Sequence, residues 1–248
     1  MIHKTNGIVL RTVKYGETSI IATVYTELFG VQSYIVKGIR KPAKTAPNKV
    51  SYFQPGAILS MEVFHNHLKN LQFIKEYEWA YLYKEVFFNV LKNTIGTYIV
   101  ELLHNAIKQP EPNPDFYFQT EYFLKQLDIL PQSEVANIPL FFTAYLSKEL
   151  GFEFHGSFSE ALPVLDLQEG KFVKDIPDHL FYIMGTTAQV ISHLKQSMYS
   201  NSDKTFGTLK LGRNIRREIL DFYQQYFSLH LQNFISLKSW PILMNILD

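Results

Sequence analysis

Thr5-Asn6-Gly7-Ile8-Val9-Leu10-Arg11, then Ser19-Ile20-Ile21-Ala22-Thr23-Val24-Tyr25-Thr26, then Val31-Gln32-Ser33-Tyr34-Ile35-Val36-Lys37 decide the fold. Each run is short and rich in β-branched residues, and turn chemistry separates them: Tyr15-Gly16-Glu17, a break near Gly30, and Gly38. A fourth run, Ala57 to Phe64, alternates, with Leu59, Met61 and Val63 on one face and Ser60 and Glu62 on the other. After a polar turn at His67 to Asn70 comes a fifth, Leu71 to Tyr77. Strands this short with little helix between them predict a small barrel, because closing the sheet removes its exposed edges. The segment Gly38 to Tyr52 between the third and fourth strands carries Pro42, Pro47 and clustered basic residues, so it lies outside any core.

From about Ala80 the period shifts from two towards 3.6. Ile95, Tyr98, Ile99, Leu102 and Ala106 share one helical face, and the run stops before Pro110-Glu111-Pro112-Asn113-Pro114, which forbids continuous helix. Asp115 then suits an N-cap or first-turn position for a helix burying Phe116, Phe123, Leu124 and Leu127, ended by Pro131. Ile138 to Leu150 predicts another helix, with Gly151 in the position that favours a left-handed backbone. Residues 152–184 break the pattern with Leu165-Asp166-Leu167, a turn at Gln168-Glu169-Gly170 and Phe172-Val173, which read as a small β-hairpin. Helical spacing returns over Ala188 to Met198 and in a final long helix with Ile215, Ile219, Phe222, Tyr223, Tyr226 and Phe227 on one stripe.

The 248 residues include 46% hydrophobic side chains, enough for a real core, and the net charge is only +1. Near-neutrality conceals an asymmetry. Residues 1–50 hold eight basic groups (Lys4, Arg11, Lys14, Lys37, Arg40, Lys41, Lys44, Lys49) against Glu17 and Glu27, a balance of +6, which leaves −5 for the remainder. Clustered cations repel one another unless phosphates neutralise them, so the segment fits a polyanionic partner; an ordinary solvated basic face is the alternative. Zero cysteines exclude disulfides, thiolate nucleophiles and cysteine-ligated zinc. No apolar run is long enough to span a membrane and Met1 to Gly7 is unlike a signal peptide, so the chain is expected in the cytoplasm.

Catalytic patterns are missing. Gly207 to Gly212 approaches a phosphate-binding loop, but Arg213-Asn214 stand where Lys and Ser or Thr are needed and no strand precedes them. There is no G-x-S-x-G elbow and no H-E-x-x-H pair. His65 and His67 fall on one face of an extended segment but lack a third ligand nearby, and His155 and His179 bracket the 152–184 excursion as lone histidines.

The opening residues carry a family resemblance. Lys4-Thr5-x-Gly7-Ile8-Val9-Leu10-Arg11, Tyr15-Gly16-Glu17-x-Ser19, Thr26-x-x-x-Gly30, Lys37-Gly38-x-Arg40-Lys41 and Phe53-Gln54-Pro55-Gly56 resemble the start of the bacterial recombination mediator RecO family. Leu146 to Gly151, Leu229-x-Leu231 and Leu237-Lys238-Ser239 extend the likeness towards the end of the chain. The resemblance implies an α+β multidomain protein: an OB-fold DNA-binding barrel over 1–80, then an all-α helical domain over 81–248 that embeds a zinc-binding module, here residues 152–184. It also implies a non-enzymatic role in DNA repair and recombination at the bacterial nucleoid. Family members bind single- and double-stranded DNA, anneal complementary strands and, with RecR, help load RecA onto DNA coated by single-strand-binding protein, whose C-terminal tail they contact. One departure is clear. Where many members place Cys-x-x-Cys pairs, this chain has Glu153-Phe154-His155-Gly156-Ser157, so neither a metal nor any other cofactor is expected and the excursion must be held by apolar packing.

An OB barrel binds single strands through a cationic groove and aromatic platforms. Candidate DNA-binding residues are Lys4, Arg11, Lys14, Tyr34, Lys37, Arg40, Lys41, Lys44 and Lys49, with Tyr52 and Phe53 as further rings; for Tyr34 and Phe53 the alternative is barrel core. Lys210, Arg213, Arg216 and Arg217 are candidates for the acidic tail of single-strand-binding protein, or else a solvated helix face. Two other readings stay open: a protein-only adaptor with a degenerate barrel, and an RNA-binding OB protein.

Overall fold

Period-two alternation closes into a five-stranded barrel in the computed structural model, which describes residues 1–40, 49–108, 110–199, 206–207 and 209–247. The strands are β1 (Ile2–Tyr15), β2 (Ser19–Thr26), β3 (Gly30–Val36), β4 (Ile58–Phe64) and β5 (Leu71–Tyr81). Their order is β1-β2-β3-β5-β4, the OB arrangement, with β3 and β5 parallel and the other neighbours antiparallel. β1 outruns its predicted span because it serves two neighbours. Ile2 to Ile8 pair with β4 and Gly7 to Tyr15 with β2, and a bulge between Val9 and Arg11 bends the strand from one to the other.

Inward positions of β1 to β4 fill the barrel: Val9, Ile20, Val24, Tyr34, Leu59, Met61 and Val63 are buried, joined by Phe53 from a 3-10 turn at Lys49–Phe53, with Ile74, Tyr77 and Trp79 of β5 partly buried against them. Packing at the β1 crossing is tight. A Cβ at residue 7 would stand 2.5 Å from Val24 Cγ1 and 2.6 Å from Met61 Cε, so only glycine fits there.

The chain divides into two units, Met1–Ile129 and Leu130–Asp248. In the first, the barrel is joined by α1 (Val90–Ala106) and α2 (Pro114–Ile129). Asn89 caps α1 by accepting from the Lys92 N–H at 3.1 Å. Asn113 does the same for α2, accepting from the Phe116 N–H at 3.0 Å, so Asp115 belongs to the first turn. The linker before α2 lies on the β2–β3 turn. Gly30, at φ +60°, has the Glu111 carbonyl oxygen 2.3 Å from where a Cβ would sit.

Asp128, near the end of α2, fastens this unit. Its carboxylate accepts the backbone N–H groups of Lys84, Glu85 and Val86 at 2.8–3.1 Å and the Tyr81 hydroxyl at 3.0 Å. Below it the buried Lys92 ammonium donates to the Asp128 carbonyl at 2.8 Å and pairs with Glu85 at 2.7 Å. The exit of the barrel, the start of α1 and the end of α2 are thereby tied at one point.

The second unit contains α3 (Gln132–Val135), α4 (Ile138–Glu149), α5 (Gly185–Tyr199), α6 (Arg213–His230) and α7 (Ser239–Ile246), with β6 (Val164–Asp166), β7 (Lys171–Val173) and β8 (Tyr182–Met184) as a small sheet ordered β7-β6-β8. The predicted hairpin is β6–β7. The third strand is too short to show alternation, and it runs directly into α5. α6, read as the final helix, is followed by α7, where Pro241 occupies the first turn and its missing N–H costs nothing. Gly151 ends α4 at φ +79° as expected. Among the described residues, no helix is long and apolar enough to cross a membrane.

Burial alone would push the Asp128 carboxyl up, but the N–H groups of Glu85, Lys84 and Val86, with Tyr81, outweigh it and hold it below the usual carboxylate range. Its stabilising effect is therefore complete above the unfolded value of about 3.9 and is lost as pH falls through the lower folded value. Asp128→Ala is expected to cost about 2–4 kcal/mol in urea unfolding at pH 7. The gap between variant and parent should narrow below about pH 4, and an unchanged gap at pH 3 would contradict the assignment.

Candidate nucleic-acid interface

Strand register sorts the sequence candidates. Lys14 stands in one row with Ile20 and Val36, at the mouth of the barrel where that inner row runs out into solvent. Lys37 follows β3 directly, and Arg40 is drawn to the same end because its backbone N–H donates to the Thr18 carbonyl at 2.9 Å and its guanidinium to Gly16 at 3.3 Å. Lys49 opens the 3-10 turn that returns to this mouth, where the Thr12 hydroxyl donates to the Phe53 carbonyl at 2.7 Å. Arg11 lies on the outer wall, opposite Thr23. Among the described residues none of these five cations is in an ion pair. Lys41 and Lys44 lie outside the described residues.

Two candidates are placed elsewhere. Tyr34 is 0% exposed and belongs to the barrel core, so it offers no stacking face. Its inward parity also pushes its hydroxyl far above the ordinary range, through burial first. Lys4 pairs in register with Glu62 and lines a shallow pocket with Glu62, Glu76 and Glu78, so its surroundings are acidic. Phe53 is core as well, while Tyr52 is half-buried and stacked on Trp79 at 4.8 Å.

Outward parity exposes different rings. Ile35 pairs with Phe73, which is 38% exposed and lies under the Lys37 ammonium at 5.0 Å, and Tyr15, 50% exposed, ends β1. A ring with a cation over it is a ready stacking platform beside a phosphate contact. Phe73 was overlooked because residues 71–77 were read as a strand without assigning which parity faced out; pairing with β3 decides that.

Further along the same wall is a groove of about 700 Å3 between the outer face of β2–β3, the β4–β5 turn and the C-terminal end of α1, with Thr23, Ser33, His65, His67, Lys69 and His104 among its lining. It was not foreseen, since His104 and Lys69 are 35 positions apart in sequence and meet only through the barrel's closure.

The second candidate cluster is partly structural. Arg216 is half-buried and its Nε donates to the Asn137 side-chain oxygen at 3.0 Å, while the Asn137 amide donates to the Phe206 and Leu209 carbonyls, both at 2.8 Å. Arg216 thus secures the approach to α6 rather than presenting charge. Arg217 has Asp221 one turn on, and Lys210 and Arg213 are exposed.

The excursion does not suit zinc. Its knuckle-like segment buries Phe154, exposes His155, and uses the His155 backbone N–H and carbonyl to bridge Gly170 (2.7 Å) and Phe172 (3.1 Å). His179 sits 3.4 Å from Asp166, whose carboxylate already accepts the N–H groups of Gln168 and Glu169. No group of three metal-ligating side chains occurs among the described residues. The segment is organised instead by the Lys195 ammonium, which donates to the Phe154 carbonyl and to the Gly156 carbonyl at 3.4 Å, lies 5.1 Å from the Phe154 ring, and stands 3.9 Å from Glu153. Phe154 in turn packs edge-on against Phe172 at 5.8 Å.

Comparison with known proteins gives one answer along the chain. Residues 1–83 match the family described as Recombination protein O N terminal, and residues 88–160 match Recombination protein O C terminal. Proteins named DNA repair protein RecO are similar over their whole length. That of Bacteroides fragilis is 30% identical, covering 100% of both chains. The Flavobacterium johnsoniae protein is 30% identical over 98% of both, and that of Azobacteroides pseudotrichonymphae 29% over 100%.

Because an ammonium group and packed rings hold the excursion, excess EDTA should leave the thermal unfolding midpoint unchanged within about 1 °C. Lys195→Met should instead cost about 1–2 kcal/mol and speed amide exchange at residues 154–157. A chelator-induced fall in the midpoint would refute the metal-free account.

Proposed function

This chain belongs to the RecO family, and from that premise we propose that it acts in DNA repair and recombination by binding DNA at the mouth and outer wall of its barrel. The observation that carries the reading is the gathering of Arg11, Lys14, Lys37, Arg40 and Lys49, without ion pairs among the described residues, beside the exposed rings of Phe73 and Tyr15. Unpaired cations at one end of a barrel attract a polyanion and release its counterions. Neighbouring rings accept unstacked bases, which favours single strands, while cations alone suffice for duplex phosphates. Lys41 and Lys44 stay in the proposal on their charge in the sequence alone, since they lie outside the described residues. Among the described residues the surface offers no element shaped to enter a groove and read base edges, which favours sequence-independent binding.

Strand annealing follows from the same physics. A protein that neutralises phosphates on both strands lowers their mutual repulsion and raises the rate of encounter. No bond-making residue is required. Family membership further supports cooperation with RecR in loading RecA onto DNA coated by single-strand-binding protein. For the acidic tail of that protein the proposal keeps Lys210, Arg213 and Arg217 and drops Arg216, which is engaged with Asn137.

If about five phosphates are neutralised, log affinity for an oligothymidylate falls against log salt with a slope near −3.5. Replacing Lys37, Arg40 and Lys41 together by alanine should weaken binding roughly tenfold or more near physiological salt and flatten that slope. Phe73→Ala should cost about 1–3 kcal/mol on single strands and leave duplex affinity nearly unchanged. A salt-independent affinity, or a triple variant that binds normally, would overturn this assignment. Tighter binding of RNA than of the matched DNA strand would favour the RNA-binding reading over the repair one.

A further inference from the structure

The groove on the β2–β3 wall carries more chemistry than a passive extension of the cationic mouth. His65, after β4, and His104, near the end of α1, both line it, with Lys69 and Lys108. Both imidazoles are held in place. His65 stacks on Phe29 at 3.9 Å with a 10° interplanar angle and meets His3 edge-on at 6.3 Å, while His104 is part of a helical turn. In each ring Nδ1 is sealed from solvent and has no hydrogen-bond partner. With Nδ1 sealed and unpartnered, a proton added there finds no acceptor in the protein, which favours the uncharged ring until a bound anion offsets the cost.

We propose that this groove is a phosphate seat for single-stranded nucleic acid, in which His65 and His104 act as proton-dependent grips on the phosphodiester. The proposal rests on the reading of the barrel as a DNA-binding module and adds a specific contact to it.

The local charges explain the dependence on protons. His65 is pushed towards its neutral form by burial first, then by His3, His67 and the Met1 amino group. His104 is pushed the same way by burial first, then by Arg11 and Lys108, with Glu101 opposing. Other charged groups at the site are Lys69 on the β4–β5 turn and Glu111 in the linker, whose backbone packs on Gly30. Without a ligand, two imidazoles in a cationic setting stay neutral. A phosphate held in the groove offsets the electrostatic part of that penalty, so anion binding and protonation favour each other. Arg11 links the groove to the mouth: its register partner Thr23 is on the groove's floor. One strand can thus run from Lys37 and Phe73 past Arg11 into the seat. The volume of about 700 Å3 lies within the range of sites that enclose a small ligand, and the three histidines of the wall form no metal-binding group among the described residues.

The test follows histidine ring signals by NMR in the intact protein, with thymidine 5′-monophosphate as one probe and an oligothymidylate as the other, between about pH 5.5 and 8. Both probes should move the His65 and His104 signals and raise their midpoints. Oligonucleotide affinity should rise roughly threefold or more from pH 7.5 to 5.5, and His65→Gln with His104→Gln should remove most of that gain. Tight oligonucleotide binding with both ring signals unmoved would overturn the seat and leave the DNA-binding reading standing. Ring shifts with the mononucleotide but no oligonucleotide binding would sustain the seat and sink that reading. Because the ring titration is made on the unaltered chain, a poorly folded variant cannot mask either result.

Discussion

The Asp128 carboxylate receives three consecutive backbone N–H groups at the point where the barrel's last strand gives way to helix, and the Lys92 ammonium takes the carbonyl of the same residue. A strand leaving a barrel has donors with no ladder left to join, and a helix ending nearby has carbonyls in the same position. One residue meets both needs. The arrangement orients α1 and α2 against the barrel, and α1 in turn carries His104 to the wall. Without that clamp the wall would have strands on one side and nothing opposite. The shape of the groove therefore depends on an interaction between Lys84–Val86 and a residue more than 40 positions later.

How far the sequence was legible follows the range of the interactions involved. β2 was read at its observed limits, Ser19–Thr26, because alternation and the flanking turns are local signals. The glycine at position 7 could be quoted as a motif, but its reason, the approach of Val24 and Met61, is a property of the closed barrel. Parity shows the boundary most sharply. Tyr34 and Phe73 are both aromatic residues in strands close to cations, yet one is core and the other surface. Only the parallel pairing of β3 with β5, joined across the whole loop and β4, distinguishes them. The Asp128 clamp and the meeting of His65 and His104 on one groove carry no motif for the same reason: each joins residues distant in sequence. In the second unit, β8 and α7 were missed for want of length, since three strand residues or two helical turns give periodicity too few cycles to register.

The charge asymmetry was legible as a sum but not as a shape. A balance of +6 over the first fifty residues includes Lys4, which the β1–β4 register sets among glutamates, and excludes Lys69 and Lys108, which the fold brings to the wall. What remains after folding is a track from mouth to groove. Lysine and arginine alone mark its open end, and histidines join the lysines on the lining of the groove. Such a gradient from permanent to titratable charge makes physical sense: a permanent charge is expensive to enclose, whereas an imidazole can enter uncharged and acquire its proton with the ligand.

The knuckle around Phe154 has a consequence of another kind. DNA breaks accumulate under oxidative stress, and thiolates climb an oxidation ladder that ends in irreversible acids. A cluster built from cysteines is lost under those conditions together with its ion. Here the same stretch of backbone is gathered by an ammonium group and by phenyl rings, and the chain has no thiol anywhere. Peroxide finds no sulfhydryl to attack in this module, and the contacts that gather its knuckle are ones that thiol oxidation cannot break.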